Sequence, residues 1–180
     1  NWFPRFLPTA GSRVFLPLCG KALDIHWCAQ QGYEVIGIEL SQIAIEAFFE
    51  ENSIAFERSR GERFIYYQAE NLSLLQGDFF DLTSADLQGC RLVYDRAALI
   101  AMEGDDRLRY YDHMLSILPR DCDMLLITLE YDQAEMRGPP FSVPSDEMSQ
   151  HYREAFSIHM LETNSIIDER PRWRNVGLSA

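Results

Sequence analysis

Basic side chains are scarce in this 180-residue sequence: 16 Lys and Arg face 28 Asp and Glu, a net charge of −12 at pH 7. Proteins that bind nucleic-acid backbones neutralise many phosphates with Lys and Arg, so this balance argues against a nucleic-acid partner. No stretch approaches the roughly 18 consecutive apolar residues of a membrane span, and residues 1–5 lack the pattern of a signal peptide. We expect a cytoplasmic protein with small-molecule or protein partners.

Metal and disulfide motifs are also missing. The four cysteines form no C-x-x-C pair, and the four histidines form no H-E-x-x-H motif. These spacings predict free thiols in a reducing compartment, with neither a disulfide framework nor a zinc site.

The length and the hydropathy pattern predict one α/β domain over residues 1–180. Short apolar runs alternate with longer amphipathic segments, which is typical of β-α-β-α order. The predicted strands are residues 13–18, 33–39, 72–76, 92–95, 123–131 and 157–163, with 64–68 as a hairpin partner of the third. The predicted helices are 23–31, 42–51 after the N-cap Ser41, 105–118 with Leu108, Tyr111, Leu115 and Leu118 on one face, and one capped by Ser145. This order favours a three-layer fold with a mostly parallel sheet, helices on both faces, and ligands beyond the carboxyl ends of the strands.

The first strand opens onto a turn that lacks a phosphate-binding motif. Leu18-Cys19-Gly20-Lys21 has one glycine, so it matches neither G-x-G-x-x-G nor G-x-x-x-x-G-K-[ST]. Glu39 ends the second strand 19 residues beyond Gly20, close to the roughly 20 expected for an acid that binds a ribose diol. A plain turn and a solvated acid are the alternatives. A ribose acid without a phosphate loop suggests an adenosine ligand that carries no phosphates.

Two further strand ends carry candidate ligand-binding residues. Asp78 could accept a hydrogen bond from an adenine amino group and Phe79 could stack on the base, although a turn cap and a core ring are the ordinary alternatives. Arg96 could hold a carboxylate in a bidentate pair, and the alternative is an ion pair with Asp95 or another nearby acid.

Four segments together resemble a known family. They are FLPLCGK at 15–21, VIGIELS at 35–41, DRAAL at 95–99 and GPPFSVP at 138–144. In this order and spacing, the chain from about residue 11 to its end resembles the thiopurine S-methyltransferase family in its bacterial branch. The resemblance implies a class I, Rossmann-like methyltransferase fold. It also implies methyl transfer from S-adenosyl-L-methionine to an aromatic or heterocyclic thiol, with S-adenosyl-L-homocysteine as product and no metal.

The resemblance assigns roles residue by residue. Leu18, Gly20 and Arg96 are expected to contact the cofactor, Glu39 its ribose, and Asp78 and Phe79 its adenine, while Pro140 and Phe141 form a wall of the acceptor pocket. We expect no side-chain nucleophile, because positioning dominates this chemistry. Cys19 is then a packing residue, and Arg96 is a candidate to stabilise the acceptor thiolate.

The departures from the family and the competing hypotheses are specific. The family has an aromatic N-terminal lid and a last C-terminal strand that this sequence lacks, and the sequence does not begin with Met, so we expect it to be part of a longer protein. Alternative acceptors are halide, thiocyanate, or selenium and tellurium anions. A non-catalytic module that binds S-adenosylmethionine or S-adenosylhomocysteine, and an NAD-dependent oxidoreductase, are the other hypotheses; the single glycine argues against the last. We expect a monomer that acts on a small-molecule thiol.

Overall fold

The structure is a computed structural model that describes residues 2–6, 9–167 and 178. The strands are β1 Arg13–Leu16, β2 Glu34–Glu39, β3 Glu57–Arg60, β4 Ile65–Ala69, β5 Leu72–Gln76, β6 Cys90–Asp95 and β7 Asp123–Leu126. The helices are α1 Phe3–Phe6, α2 Leu23–Gln30, α3 Gln42–Glu51, α4 Gly104–Ile117 and α5 Ser145–Tyr152, with short 3-10 turns at Phe79–Asp81 and Leu99–Ala101.

All seven strands join one sheet in the order β3-β4-β5-β2-β1-β6-β7. The strands from β5 to β7 in this order are parallel, and β3 and β4 add an antiparallel edge. The chain first moves from β1 to β2 on one side and later returns to place β6 on the other side of β1. The strand order therefore reverses between β1 and β6, which is where α/β sheets of this kind bind ligands.

Two apolar cores lie on opposite faces of the sheet. Because side chains alternate along a strand, Val14 and Leu16 pack with α2 and α3, whereas Phe15 packs with α4 and α5. Ser41 caps α3 as predicted, its hydroxyl accepting a hydrogen bond from the N–H of Ala44 at 3.2 Å. The predicted three-layer α/β arrangement is confirmed.

The hairpin was predicted only in part. Residues 64–68 do contribute β4, which pairs antiparallel with β5. No residue pattern indicated β3, because all four of its residues are polar and exposed and carry no apolar alternation. It is held instead by backbone pairing to β4.

The predicted buried face of α4 is confirmed except at Leu108. Tyr111 is buried, and Leu115 and Leu118 are half-buried and pack against the core, whereas Leu108 is 47% exposed. The helix also buries residues that the prediction did not name, among them Tyr110 and Met114.

Other boundaries also differ from the sequence-based expectation. Residues 157–163 form no strand, and most of them are exposed. β7 ends at Leu126 rather than near residue 131, although the N–H of Ile127 still donates to the carbonyl of Asp95 at 2.8 Å. The N-cap of α5 is Pro144 and no side chain caps that helix, so the predicted cap at Ser145 was wrong.

Candidate active site

The turn after β1 has an unusual backbone and is tied to β2. Leu18 (φ +44°) and Gly20 (φ +53°) both lie in the left-handed region, which a leucine adopts only when its surroundings impose it. The N–H of Cys19 donates to the carbonyl of Ile38 at 3.0 Å, and the N–H of Gly20 donates to Oε2 of Glu39 at 2.8 Å. The turn and the end of β2 therefore form one unit.

The Glu39 carboxylate is held at both oxygens. Its Oε1 accepts a hydrogen bond from the N–H of Ser41 at 2.8 Å, and its Oε2 accepts the one from Gly20. Each carboxylate oxygen can accept more than one hydrogen bond, so the group can still bind a pair of hydroxyls. A Cβ built on Gly20 would lie 3.9 Å from Oε2, an ordinary van der Waals contact.

Cys19 packs beneath this turn. A Cβ at Gly37 would lie 2.8 Å from the Cys19 Sγ, so the glycine allows the thiol to sit against β2. Burial, and secondarily the charge of Glu39, raises the pKa of the Cys19 thiol far above its usual range. A buried, protonated thiol is a poor nucleophile.

At the end of β6, a buried carboxylate organises the segment that carries Arg96. Oδ1 of Asp95 accepts hydrogen bonds from the N–H groups of Ala98 (3.0 Å) and Leu99 (3.3 Å), and Oδ2 accepts one from the hydroxyl of Tyr110 at 2.7 Å. Desolvation by burial raises the pKa of Asp95 despite these donors. Asp95 thus fixes the turn that follows β6.

Arg96 does not pair with Asp95. Its Nη2 lies 2.6 Å from Oδ2 of Asp24, with the Arg96 side chain 49% and the Asp24 side chain 26% exposed. Asp24 lies in the first turn of α2, four residues after Gly20. Sequence reasoning missed Asp24, although its place one turn beyond the predicted cofactor loop was a usable signal.

Asp78 and Phe79 follow β5, but only Asp78 is exposed. The carboxylate of Asp78 accepts a hydrogen bond from the N–H of Phe80 at 2.9 Å and caps a 3-10 turn. Phe79 is 2% exposed, and its ring stacks on Tyr110 with centroids 4.8 Å apart. The structure therefore places the Phe79 ring in the core, which was the alternative to stacking on the adenine. Phe80 is the partly exposed ring beside Asp78.

The segment of residues 138–144 lies against the carboxyl ends of β6 and β7. The N–H of Phe141 donates to the carbonyl of Ile100 at 2.6 Å, and the Tyr131 hydroxyl donates to the carbonyl of Pro140 at 2.6 Å. Arg107 donates from Nη1 to the carbonyl of Ser142 at 3.0 Å and to both Glu147 oxygens. The loop that carries Pro140 and Phe141 is thus anchored at the same edge of the sheet as Arg96.

Among the described residues, three exposed large apolar side chains near the carboxyl ends of β1 and β2 were not singled out in the sequence. They are Leu23 in the first turn of α2, Leu40 directly after Glu39, and Ile43 in the first turn of α3. They give the surface beside the Glu39 carboxylate an apolar character.

A surface cavity of about 970 Å³ lies at the opposite end of the strands from Glu39. It is lined by residues at the amino ends of β2 and β5, among them Glu34, Val35, Leu72 and Ser73. None of the predicted site residues lines it. Since ligands of α/β sheets bind at the carboxyl ends of the strands, we place the site at the Glu39 edge.

The sequence model of the family described as thiopurine S-methyltransferase matches residues 1–180. The chain belongs to this family. A thiopurine S-methyltransferase of Pseudomonas paraeruginosa is 45% identical over 170 residues, which cover 94% of this chain and 78% of that protein. One of Nitrosospira multiformis is 43% identical over 179 residues, which cover 99% of this chain and 81% of that protein.

Solved structures of methyltransferases share the fold of this family member. An S-adenosylmethionine-dependent methyltransferase of Anabaena variabilis superimposes with a TM-score of 0.62 at 15% identity, over 84% of this chain and 67% of that one. A TehB-like methyltransferase of Corynebacterium glutamicum gives a TM-score of 0.55 at 14% identity, over 83% and 70%. The class I methyltransferase fold implied by the sequence resemblance is confirmed.

The described residues contain neither a membrane-spanning helix nor a cluster of metal ligands. No helix within 2–6 and 9–167 is long and apolar enough to cross a membrane. Within the same residues, no group of three or more His, Cys, Asp or Glu side chains is arranged to hold a metal ion.

Proposed function

We propose that this chain transfers a methyl group from S-adenosyl-L-methionine to the sulfur of an aromatic or heterocyclic thiol. The observation that carries the proposal is the Glu39 carboxylate, held by the N–H groups of Gly20 and Ser41 at the end of β2, beside a turn without a phosphate-binding motif. This arrangement suits an adenosine ligand with a free ribose diol. Membership of the thiopurine S-methyltransferase family supports it.

We assign the binding of the cofactor to side chains and backbone of this chain, with no metal ion involved. Glu39 accepts hydrogen bonds from the ribose hydroxyls, Leu18 and Gly20 lie against the cofactor, and Asp78 accepts from the adenine amino group. For Phe79 we retain only a backbone contribution, because its ring is in the core. When bound, S-adenosyl-L-methionine supplies a methyl group on a sulfonium that is a good leaving group.

The remaining residues act on the acceptor. Pro140 and Phe141 supply an apolar wall, and the guanidinium of Arg96 is a cation at this edge that can stabilise a thiolate. Holding the acceptor sulfur in line with the methyl carbon supplies most of the rate enhancement. An apolar, water-poor surface strengthens the attraction between a thiolate and a cation.

Calorimetry tests the cofactor part of this proposal. We expect S-adenosylhomocysteine to bind and NAD not to bind, and we expect Glu39→Ala to weaken the binding by at least about tenfold, the value of a charged hydrogen bond. Glu34→Ala is the matched control, because Glu34 is an exposed residue at the other end of the same strand. Binding of NAD alone, or equal binding by both variants, would contradict the proposal.

The acceptor is tested by comparing substrates under one assay. We expect methylation of a mercaptopurine and little methylation of iodide, thiocyanate or selenite. Preferential methylation of an anion would replace the thiol by that acceptor while leaving the cofactor assignment intact. Binding of S-adenosylhomocysteine with no transfer to any acceptor would indicate a binding module.

We infer further that residues 1–180 work as one cytoplasmic, monomeric domain without a nucleic-acid partner. The four buried free thiols suit a reducing compartment, and the net charge of −12 disfavours phosphate backbones. Light scattering coupled to size exclusion measures the oligomeric state, and a dimer mass would contradict the inference.

A further inference from the structure

The ion pair of Asp24 and Arg96 bridges the point where the strand order reverses. Asp24 lies in the first turn of α2, which follows β1, and Arg96 directly follows β6, the neighbour of β1 on its far side. Nη2 of Arg96 and Oδ2 of Asp24 are 2.6 Å apart. One negative and one positive group are therefore held side by side at the edge where Glu39 also lies.

The carboxylate of Asp24 is oriented from two directions. Besides Arg96, the hydroxyl of Tyr94 on β6 donates to Oδ1 of Asp24 at 3.4 Å. Burial, and secondarily the charge of Asp24, raises the pKa of Tyr94 to about 12, so the hydroxyl remains a donor at neutral pH. Each Asp24 oxygen keeps capacity for a further hydrogen bond.

The guanidinium of Arg96 also has donors to spare. A guanidinium carries five N–H donors in a planar fork, and the contact with Asp24 uses the Nη2 end. A partly exposed ion pair contributes little to folding stability, so stability alone is a weak reason for its place at this edge.

We propose that Asp24 and Arg96 together bind the amino-acid end of S-adenosyl-L-methionine, with Arg96 on the α-carboxylate and Asp24 on the α-ammonium group. The inference rests on the proposed function and adds Asp24 to its binding residues. The four charges alternate in sign around a closed arrangement, so every neighbouring pair attracts. Without Asp24, the ammonium group would face a lone guanidinium and be repelled by it.

The arrangement selects a zwitterionic ligand. A ligand with only a carboxylate uses Arg96 but leaves Asp24 without its partner. An adenosine ligand that lacks the amino-acid end gains from neither residue. A dinucleotide would bring phosphate charge against the Asp24 carboxylate.

Three ligands and two variants separate these contributions by calorimetry. The ligands are S-adenosylhomocysteine, its analogue without the α-amino group, and 5′-deoxy-5′-methylthioadenosine, which lacks the whole amino-acid end. We expect Asp24→Asn to weaken S-adenosylhomocysteine at least about tenfold, to change the analogue by less than about threefold, and to leave methylthioadenosine unchanged. Arg96→Gln should weaken the first two ligands and spare the third.

A matched control removes the same charge elsewhere. Asp121 pairs with Arg91 at the amino end of β6, and both side chains are exposed. Asp121→Asn should leave the affinity for all three ligands unchanged. Thermal unfolding of each variant checks that it is folded.

Three results would overturn the inference. If Asp24→Asn weakens S-adenosylhomocysteine and its des-amino analogue equally, Asp24 acts only by positioning Arg96. If it weakens all three ligands equally, Asp24 acts only through the fold, and if it weakens none, Asp24 has no binding role. Failure of the unaltered protein to bind any of the three would instead contradict the proposed function itself, and the inference with it.

Discussion

The backbone N–H of Gly20 lies 2.8 Å from Oε2 of Glu39, which joins the turn after β1 to the end of β2. The carboxylate is therefore oriented before any ligand arrives. Orienting a binding group in advance removes part of the entropy cost of binding. If Glu39 binds the cofactor as proposed, we expect the backbone conformation of the turn to influence the affinity for the cofactor.

Gly20→Ala should affect both stability and binding. At φ +53° an alanine is strained, and we expect a loss of about 1 kcal/mol in the free energy of unfolding. A shifted N–H would also weaken its hydrogen bond to Glu39 and lower the affinity for S-adenosylhomocysteine several-fold. Urea unfolding and calorimetry measure the two effects.

Gly89→Ala is the control for that prediction. Gly89 has φ +77°, and a Cβ there would meet nothing within 4 Å. It precedes β6 at the far edge of the sheet, so it should lose similar stability without losing affinity. Equal losses of affinity in both variants would show that strain, rather than the Glu39 contact, governs binding.

Cys19 should be chemically inert in the folded protein. Its thiol is buried and its pKa is raised, so iodoacetamide at pH 8 should modify it only after unfolding. Cys19→Ala should retain methyl transfer and lose about 1 kcal/mol of stability. Mass spectrometry of the alkylated peptide and an activity assay check both statements. Rapid labelling of the native thiol, or loss of transfer in the variant, would indicate a chemical role.

Sequence reasoning predicted the elements with strong apolar patterns. The strands β1, β2, β5 and β6 and the helices α2 and α3 were found because their runs are buried and are bounded by Gly, Ser or Asp. It missed β3, which is exposed on both faces and depends on its pairing with β4. The expected strand at 157–163 was wrong, because these residues form no strand and most of them are exposed.

The candidate site was also predicted only in part, because some of its features depend on contacts between distant parts of the sequence. Gly20 and Glu39 follow two strands of one βαβ unit, so local spacing was enough to single out both residues, although not the hydrogen bond between them. The Asp24–Arg96 pair depends on β6 returning to the far side of β1, which no local pattern encodes. The core position of Phe79 depends on its contact with Tyr110 of α4, which is also distant in sequence.

Arg107→Met should destabilise the protein by about 3 kcal/mol. The substitution leaves the carboxylate of Glu147 and the carbonyls of Met102 and Ser142 without their donor. Because Ser142 belongs to the loop that we propose lines the acceptor pocket, we expect the KM for the thiol to rise more than the affinity for S-adenosylhomocysteine falls.

Arg109→Met is the matched control on the same helix. Arg109 pairs with Asp106, and the two side chains are 62% and 66% exposed. Exposed pairs at this spacing contribute less than about 1 kcal/mol, so this variant should unfold nearly as the unaltered protein does. Equal destabilisation by both substitutions would contradict the anchoring role of Arg107.

Asp95 should make the stability depend on pH in an unusual direction. Its pKa in the folded protein is raised above the ordinary 3.8 by burial, so on raising the pH the unfolded chain releases this proton first. The folded state then binds more protons, and the contribution of Asp95 to the free energy of unfolding is lost as the pH rises from 3.8 through the folded pKa.

Asp95→Asn removes the titration while its amide oxygen can still accept from Ala98 and Leu99. Urea unfolding of both proteins between about pH 4 and pH 7 isolates the effect, since the other groups cancel in the difference. We expect the stability of the unaltered protein relative to the variant to fall with pH, at no more than about 1.4 kcal/mol per pH unit. Parallel curves would mean that Asp95 titrates alike in both states.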